Sequence, residues 1–133
     1  MPNSRYDSAA GMVNFKTTHL SKYAVSYVEP DMTDLDGFAW AAKQINAVVA
    51  KEILKPATKT SYDPKSNITR ADFLYGLIRA LGLSAKVDGN FDDVITNDYY
   101  YNEIEVAKKL GITTGVGGNK INPDEAITRQ DKM

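Results

Sequence analysis

The sequence predicts a mainly α fold: helix–loop–helix repeats, one complete and one truncated, behind a short N-terminal β-hairpin or strand segment. Three observations lead there. The first is an ungapped internal repeat at an offset of 59 residues, which returns Ile68-Thr69-Arg70-Ala71-Asp72 as Ile127-Thr128-Arg129-Gln130-Asp131. The same offset carries Pro64 onto Pro123, Ile53 onto Ile112, Ile45 onto Ile104, Asp34 onto Asp93, Trp40 onto Tyr99 and Met32 onto Phe91. A period of this length marks a supersecondary unit that buries its apolar face only against a sibling. The second observation is apolar spacing of helical period from residue 32 onward. The third is a set of β-branched and aromatic runs before residue 30.

In chain order, Met12-Val13-Asn14-Phe15-Lys16 and Tyr23-Ala24-Val25-Ser26-Tyr27-Val28 alternate in part and read as strands. Arg5-Tyr6 belongs with a further short strand, and Asp7-Ser8-Ala9-Ala10-Gly11 reads as a turn. So few strands make a poor core alone, because an isolated hairpin is marginal in water. Residues 1–30 therefore read as the tail of an upstream β domain, with Glu29-Pro30-Asp31 as the boundary.

The first repeat spans 32–83. Trp40, Ala41, Ile45, Val48, Val49 and Ile53 share one face of a helix over about 38–54, which Lys55-Pro56 ends. A loop rich in Thr, Lys and Ser follows. Thr69 then caps a second helix, with Asp72 placed to reach back in the manner of a capping box. Phe73, Leu77, Ile78 and Leu81 form its expected buried stripe, and Gly82 stops it.

The second repeat spans 91–133. It places a helix at Tyr99–Leu110 with Ile104, Ala107 and Leu110 inward and Gly111 as terminator. Gly115-Val116-Gly117-Gly118-Asn119 is a tight loop that tolerates positive φ. Thr128 caps a further helix that reaches only its first turn by Met133, so this copy reads as truncated and the chain as part of something longer.

Composition bounds the chemistry. The chain has 133 residues, 43% hydrophobic and 25% charged, as in an ordinary soluble domain. A net charge of −1 argues against a broad electrostatic grip on nucleic acid. No apolar run approaches the roughly 20 residues needed to span a bilayer, and no signal core follows the N-terminus. There is no cysteine for a disulfide or thiolate site. His19 reads as structural, since no nucleophile is aligned with it. Asp88-Gly89-Asn90-Phe91-Asp92 resembles the start of a calcium loop. It lacks the glycine (Asp93 stands there) and the bidentate glutamate (Tyr99 stands there) that such a loop needs. No catalytic residues, metal set or cofactor are expected.

The repeated residues resemble the S-layer homology (SLH) module, over 32–133. The Phe-x-Asp-Val start appears as Phe91-Asp92-Asp93-Val94 and, in weaker form, as Met32-Thr33-Asp34-Leu35. The aromatic head of the first helix appears as Trp40-Ala41 through Ile45 and as Tyr99 through Ile104. The Gly-Ile-x-x-Gly turn is Gly111-Ile112-Thr113-Thr114-Gly115, and Ile-Thr-Arg-x-acid occurs twice. The signature acid is Asp in both copies where Glu is typical. Glu52 and Pro56 replace the glycines of the turn, so the first loop is expected to differ in shape. The resemblance implies modules that act in sets of three, with signature helices gathered in a central bundle. Residues 15–25 are similar to the closing strands of domains that precede such modules.

What the resemblance implies is a non-catalytic anchor, extracellular on the bacterial cell surface, that binds a secondary cell-wall polysaccharide often bearing pyruvate ketals. Arg70 and Arg129 would supply planar forks for the ketal carboxylate. Trp40 or Tyr99 would supply a ring for a sugar face. The helix start after Thr69 or Thr128 would add backbone donors. Asp34 and Asp93 complete the candidate glycan site, with loop fixing as their other role. The arginines read equally as helix-start residues paired with Asp34 or Asp93, and Trp40 also reads as core. The alternative function is a structural protein–protein or assembly module of a surface-layer protein without direct glycan binding. Self-association, with N-terminal strands exchanged between copies in a domain-swapped dimer, is expected where sister helices are absent.

Overall fold

The computed structural model describes residues 4–17 and 21–128. Its regular elements are β1 (Arg5–Asp7), β2 (Met12–Asn14), a 3-10 turn (Asp36–Phe38), α1 (Ala39–Ala50), α2 (Arg70–Leu81) and α3 (Tyr101–Lys109). Among the described residues three α-helices, a 3-10 turn and one two-stranded antiparallel sheet make up the regular structure, and most of these residues lie in the loops between them. The expected mainly α chain is therefore richer in helix than the described residues, in which loops predominate.

β1 and β2 pair with Arg5 opposite Asn14 and Asp7 opposite Met12. Their turn forms as the sequence suggests. Asp7 Oδ1 accepts from the amides of Ala9 (3.0 Å) and Ala10 (3.2 Å), and Gly11 takes φ 63°. Residues 23–28 are not a strand. Their composition suits one, but a strand exists only with a neighbour to complete its ladder.

All three helices end in the same way. Ile53 N–H donates to Val48 O and Glu52 N–H to Val49 O. Leu83 and Gly82 bond to Ile78 and Arg79, and Ile112 and Gly111 bond to Ala107 and Lys108. Each is a Schellman pattern with its turning residue left-handed: Glu52 at φ 55°, Gly82 at 62°, Gly111 at 70°. So α1 stops at Ala50 because the chain turns at Glu52, before Pro56 is reached. Glu52 adopts the backbone of its glycine counterpart, contrary to the expected difference in shape. Pro56 stands opposite Gly115, whose φ of 77° no proline can take, so there the two loops do diverge.

The core lies between α2 and α3. Ala71, Leu74, Tyr75 and Ile78 of α2 meet Ile104 and Ala107 of α3, with Phe91, Val94, Tyr100 and Ile121 closing the cluster. The buried stripe of α2 is therefore one position round from the expected one. Ile78 belongs to it, Phe73 packs at its margin, and Leu81 is 61% exposed. Leu110 is exposed as well, lying past the last turn of α3. Helix α1 buries none of its residues fully, and Trp40 at its head is 82% exposed, which removes the core reading of that ring.

Candidate functional site

Two aspartates at equivalent positions tie each loop to its start. Asp34 accepts from the amides of Tyr62 (3.0 Å) and Asp63 (2.7 Å) and from the Ser61 hydroxyl (2.9 Å). Asp93 accepts from the amides of Ile121 (3.1 Å) and Asn122 (2.8 Å). The amides of Tyr62 and Asp63 hold the Asp34 carboxyl below its ordinary value. Both carboxylates thus serve the loops that flank the site.

The signature segments meet each other. Ile127 N–H donates to Ile68 O (3.0 Å), and the α2 amides of Arg70 and Ala71 donate to Glu125 O (2.8 Å) and Pro123 O (3.0 Å). Asp72 N–H donates to Thr69 Oγ1 (3.1 Å), whose own hydroxyl donates to Asp72 Oδ2 (2.9 Å). Aspartate is one methylene shorter than glutamate and closes this cap on the hydroxyl. The expected anion grip by the α2 start is therefore overturned after Thr69, because these donors already have protein acceptors.

Arg70 lies against the same segment, with Nη2 3.6 Å from Glu125 Oε2 and a side chain 15% exposed. Arg129 and His19 lie outside the described residues, as does the expected helix after Thr128. Asp88 pairs with Lys109 (2.7 Å), and Asp92 accepts from the Asn119 amide group, so the calcium-like loop spends these side chains on fastening.

A cleft of about 640 Å³ opens between the first loop, the start of α2 and the head of the second repeat. Lys55, Tyr62, Asn67, Thr69, Asp72 and Tyr99 line it. Tyr99 is the one expected site residue it gathers; Trp40, Arg70, Asp34 and Asp93 are not in its wall. The Tyr99 ring stands edge-on to Tyr75 (5.5 Å) and Tyr100 (4.9 Å), and its hydroxyl donates to Asp72. Burial, then the bond to the Asp72 carboxylate and its charge, push this phenol well above its ordinary value, so it stays a donor. Lys55 Nζ sits 4.0 Å over the ring centroid.

Lys55, Tyr62 and Asn67 escaped sequence reasoning. They lie in a polar loop with no periodicity, and the repeat gives no cue because Thr114, Ile121 and Ala126 stand opposite them. Across the back of the site, Arg79 joins the repeats, bonding Glu52 O, Glu52 Oε2 (3.2 Å) and Glu103 Oε1 (3.1 Å). Among the described residues no cluster of three His, Cys, Asp or Glu is placed to hold a metal ion, and no helix is long and apolar enough to cross a membrane.

The paired loops and doubled signature define a tandem-repeat module. The S-layer homology domain profile matches residues 31–74 and 90–131, and the chain belongs to that family. It is 34% identical to an amylopullulanase of Thermoanaerobacterium thermosulfurigenes over 96% of this chain and 7% of that protein. It is 36% identical to endo-1,4-beta-xylanase A of Thermoanaerobacterium saccharolyticum over 70% of this chain and 8% of that protein. A surface-layer 125 kDa protein of Lysinibacillus sphaericus is 29% identical over 76% of this chain and 8% of its own length. The chain thus spans less than a tenth of each relative. S-layer homology domains are surface-associated in bacteria, and this location goes with membership.

Proposed function

We propose that the chain is a non-catalytic module that anchors a bacterial surface protein to a secondary cell-wall polysaccharide bearing pyruvate ketals. One observation carries the reading. An amylopullulanase and a xylanase, whose names describe different activities, share this short segment with a surface-layer protein. A part common to all of them suits attachment better than any one reaction. In this reading 32–83 and 91–133 are helix–loop–helix repeats, and 1–30 closes an upstream domain. The amylopullulanase similarity, which runs through most of that N-terminal stretch, supports the last point.

Tyr99 offers a ring edge to a sugar in the cleft, and Trp40 offers an exposed ring to another. Arg70, Arg129, Asp34 and Asp93 contribute by contact or by holding the loops. The test is retention on purified cell wall with the polymer intact, after removal of pyruvate, and after removal of the polymer. Retention on wall stripped of polymer sinks the anchoring reading. Loss of retention in Arg70→Ala with helix content unchanged places that arginine on the ligand.

The assembly reading has its own support in the half-buried α1 and the exposed rim of Leu81, together with Val25 and Tyr27 at 74% and 83% exposure. In that reading copies associate through these apolar surfaces. A strictly monomeric mass by light scattering at high concentration counts against it.

A further inference from the structure

On the reading of the cleft as the anchoring site, we propose that Arg79 is a positioning residue that sets the spacing of the cleft's two walls from the far end of α2. The walls come from different repeats. Leu54, Lys55 and Pro56 continue directly from the left-handed stop of α1 at Glu52, and Tyr99 stands just ahead of α3. One side chain reaches the supports of both. Arg79 Nε donates to Glu52 O, and Nη1 donates to Glu103 Oε1 (3.1 Å) in the first turn of α3. Glu52 lies two residues before Leu54, and Glu103 lies four residues after Tyr99.

These contacts lie along one stripe of α2. Asp72, Tyr75, Gly76 and Arg79 fall at the i, i+3, i+4, i+7 spacing of a single helix face. Asp72 and Tyr75 hold the Tyr99 wall, through the hydroxyl bond and the ring edge. Gly76 admits the other wall: a Cβ there would stand 2.7 Å from Leu54 Cδ2 and 3.4 Å from Ile53 O. Tyr75 donates its hydroxyl to Glu52 O (3.3 Å), so that carbonyl accepts from two α2 side chains. Arg79 closes the stripe. Its planar fork aims separate nitrogens at Glu52 and Glu103, which the single nitrogen of a lysine cannot do. The Glu103 side chain is 14% exposed, whereas that of Glu52 is 80% exposed and its 3.2 Å pair is largely solvated. The clasp therefore rests on the Glu52 carbonyl and the Glu103 carboxylate.

The chain has no cysteine, so spin labels at Lys59→Cys in the first loop and Asn102→Cys on α3, both exposed positions, report the spacing of the walls. Arg79→Leu broadens the label-to-label distance distribution with unchanged circular dichroism. It also weakens retention on purified cell wall about tenfold, the factor that follows if the walls keep their spacing about a tenth of the time. Arg79→Lys gives a smaller change of the same kind, and Glu52→Gln, which keeps the carbonyl, changes neither readout. If Arg79→Leu loses its helix content, Glu103→Ala decides by the same two readouts, with the same broadening and weakening expected. An arginine that only stabilises the fold lowers the melting temperature but leaves the distribution narrow and retention intact. That result overturns the assignment, as does a broadened distribution with full retention. Retention of the wild type tests the anchoring reading separately. If intact wall does not retain it, that reading falls, and the distance distribution alone decides whether Arg79 spaces the walls.

Discussion

The two S-layer homology segments share a backbone plan and differ in what they bury. Thr33 N–H donates to Thr60 O (2.8 Å) in the first, and Asp92 N–H donates to Asn119 O (2.9 Å) in the second. Asp34 and Asp93 accept from equivalent pairs of amides, and the second residue of each pair is left-handed, Asp63 at φ 58° and Asn122 at 51°. Yet Ile104 of the second segment is fully buried, while its counterpart Ile45 is half-exposed on α1. Tyr99 is packed into a cleft wall, and its counterpart Trp40 projects into solvent. A few side chain-to-backbone bonds thus reproduce a loop wherever their residues recur. Burial depends on whether another segment stands opposite: α2 packs on α3, whereas among the described residues no other α-helix packs on α1.

Truncation at the paired isoleucines tests this difference most strongly. Ile104→Ala should lose about 3–4 kcal/mol of unfolding free energy and Ile45→Ala about 1 kcal/mol, since the cost follows how completely the removed atoms were packed. Equal losses by urea denaturation would mean that the two helices are equally buried in solution. The glycine loop comes next. A Cβ at Gly115 would collide with the Lys120 carbonyl and stand 2.7 Å from the Phe91 ring. Gly115→Ala should therefore destabilise by about 2–3 kcal/mol, from overpacking added to left-handed strain. Pro56→Gly at the equivalent site should cost less than about 1 kcal/mol, mainly through the unfolded chain.

The helix stops give a smaller, opposite-signed pair. Gly111→Ala should destabilise by about 1 kcal/mol because φ is positive there. Glu52→Gly relieves the same strain in α1 but gives up the exposed pair with Arg79, a contact of about 0–1 kcal/mol. It should therefore leave stability unchanged or slightly raised by thermal melting. The carbonyl that Arg79 and Tyr75 use survives the substitution.

The smallest effect is on pH. The folded-state value of Asp34 lies below its unfolded one, so its fastening is complete above the ordinary carboxylate range. It is lost as pH falls through the lowered value. Amide shifts of Tyr62 and Asp63 should move only in that acidic window, and an inflection at or above the ordinary aspartate value contradicts the bonding seen here.

The features legible in the sequence were those encoded within a few residues. Thr69 begins α2, Gly82 and Gly111 end helices, and Asp7 organises its turn, because each makes bonds to its own neighbourhood. The residues that line the cleft were legible only in part. Tyr99 stood out through its repeat partner. Lys55 is an ordinary loop lysine until the fold brings the second repeat's aromatic head beneath it. The backbone donors at the α2 start were not legible either: they face residues 123–127 and are engaged there. Residues 23–28 failed as a strand for a related reason, since propensity cannot supply a partner.

By itself the sequence determined the family, the repeat and its offset, the start of α2 at Thr69 and the glycine stops of α2 and α3. The tertiary structure decided which stripe of α2 is buried. Phe73-Leu77-Leu81 and Ala71-Leu74-Tyr75-Ile78 are both apolar at helical spacing, and only the approach of α3 to the second separates them. It also decided that the first loop, α2 and Tyr99 enclose a cleft with a lysine at its wall. Local hydrogen bonds are chosen by neighbours in the chain, whereas burial and charge placement are chosen by segments that meet only after folding.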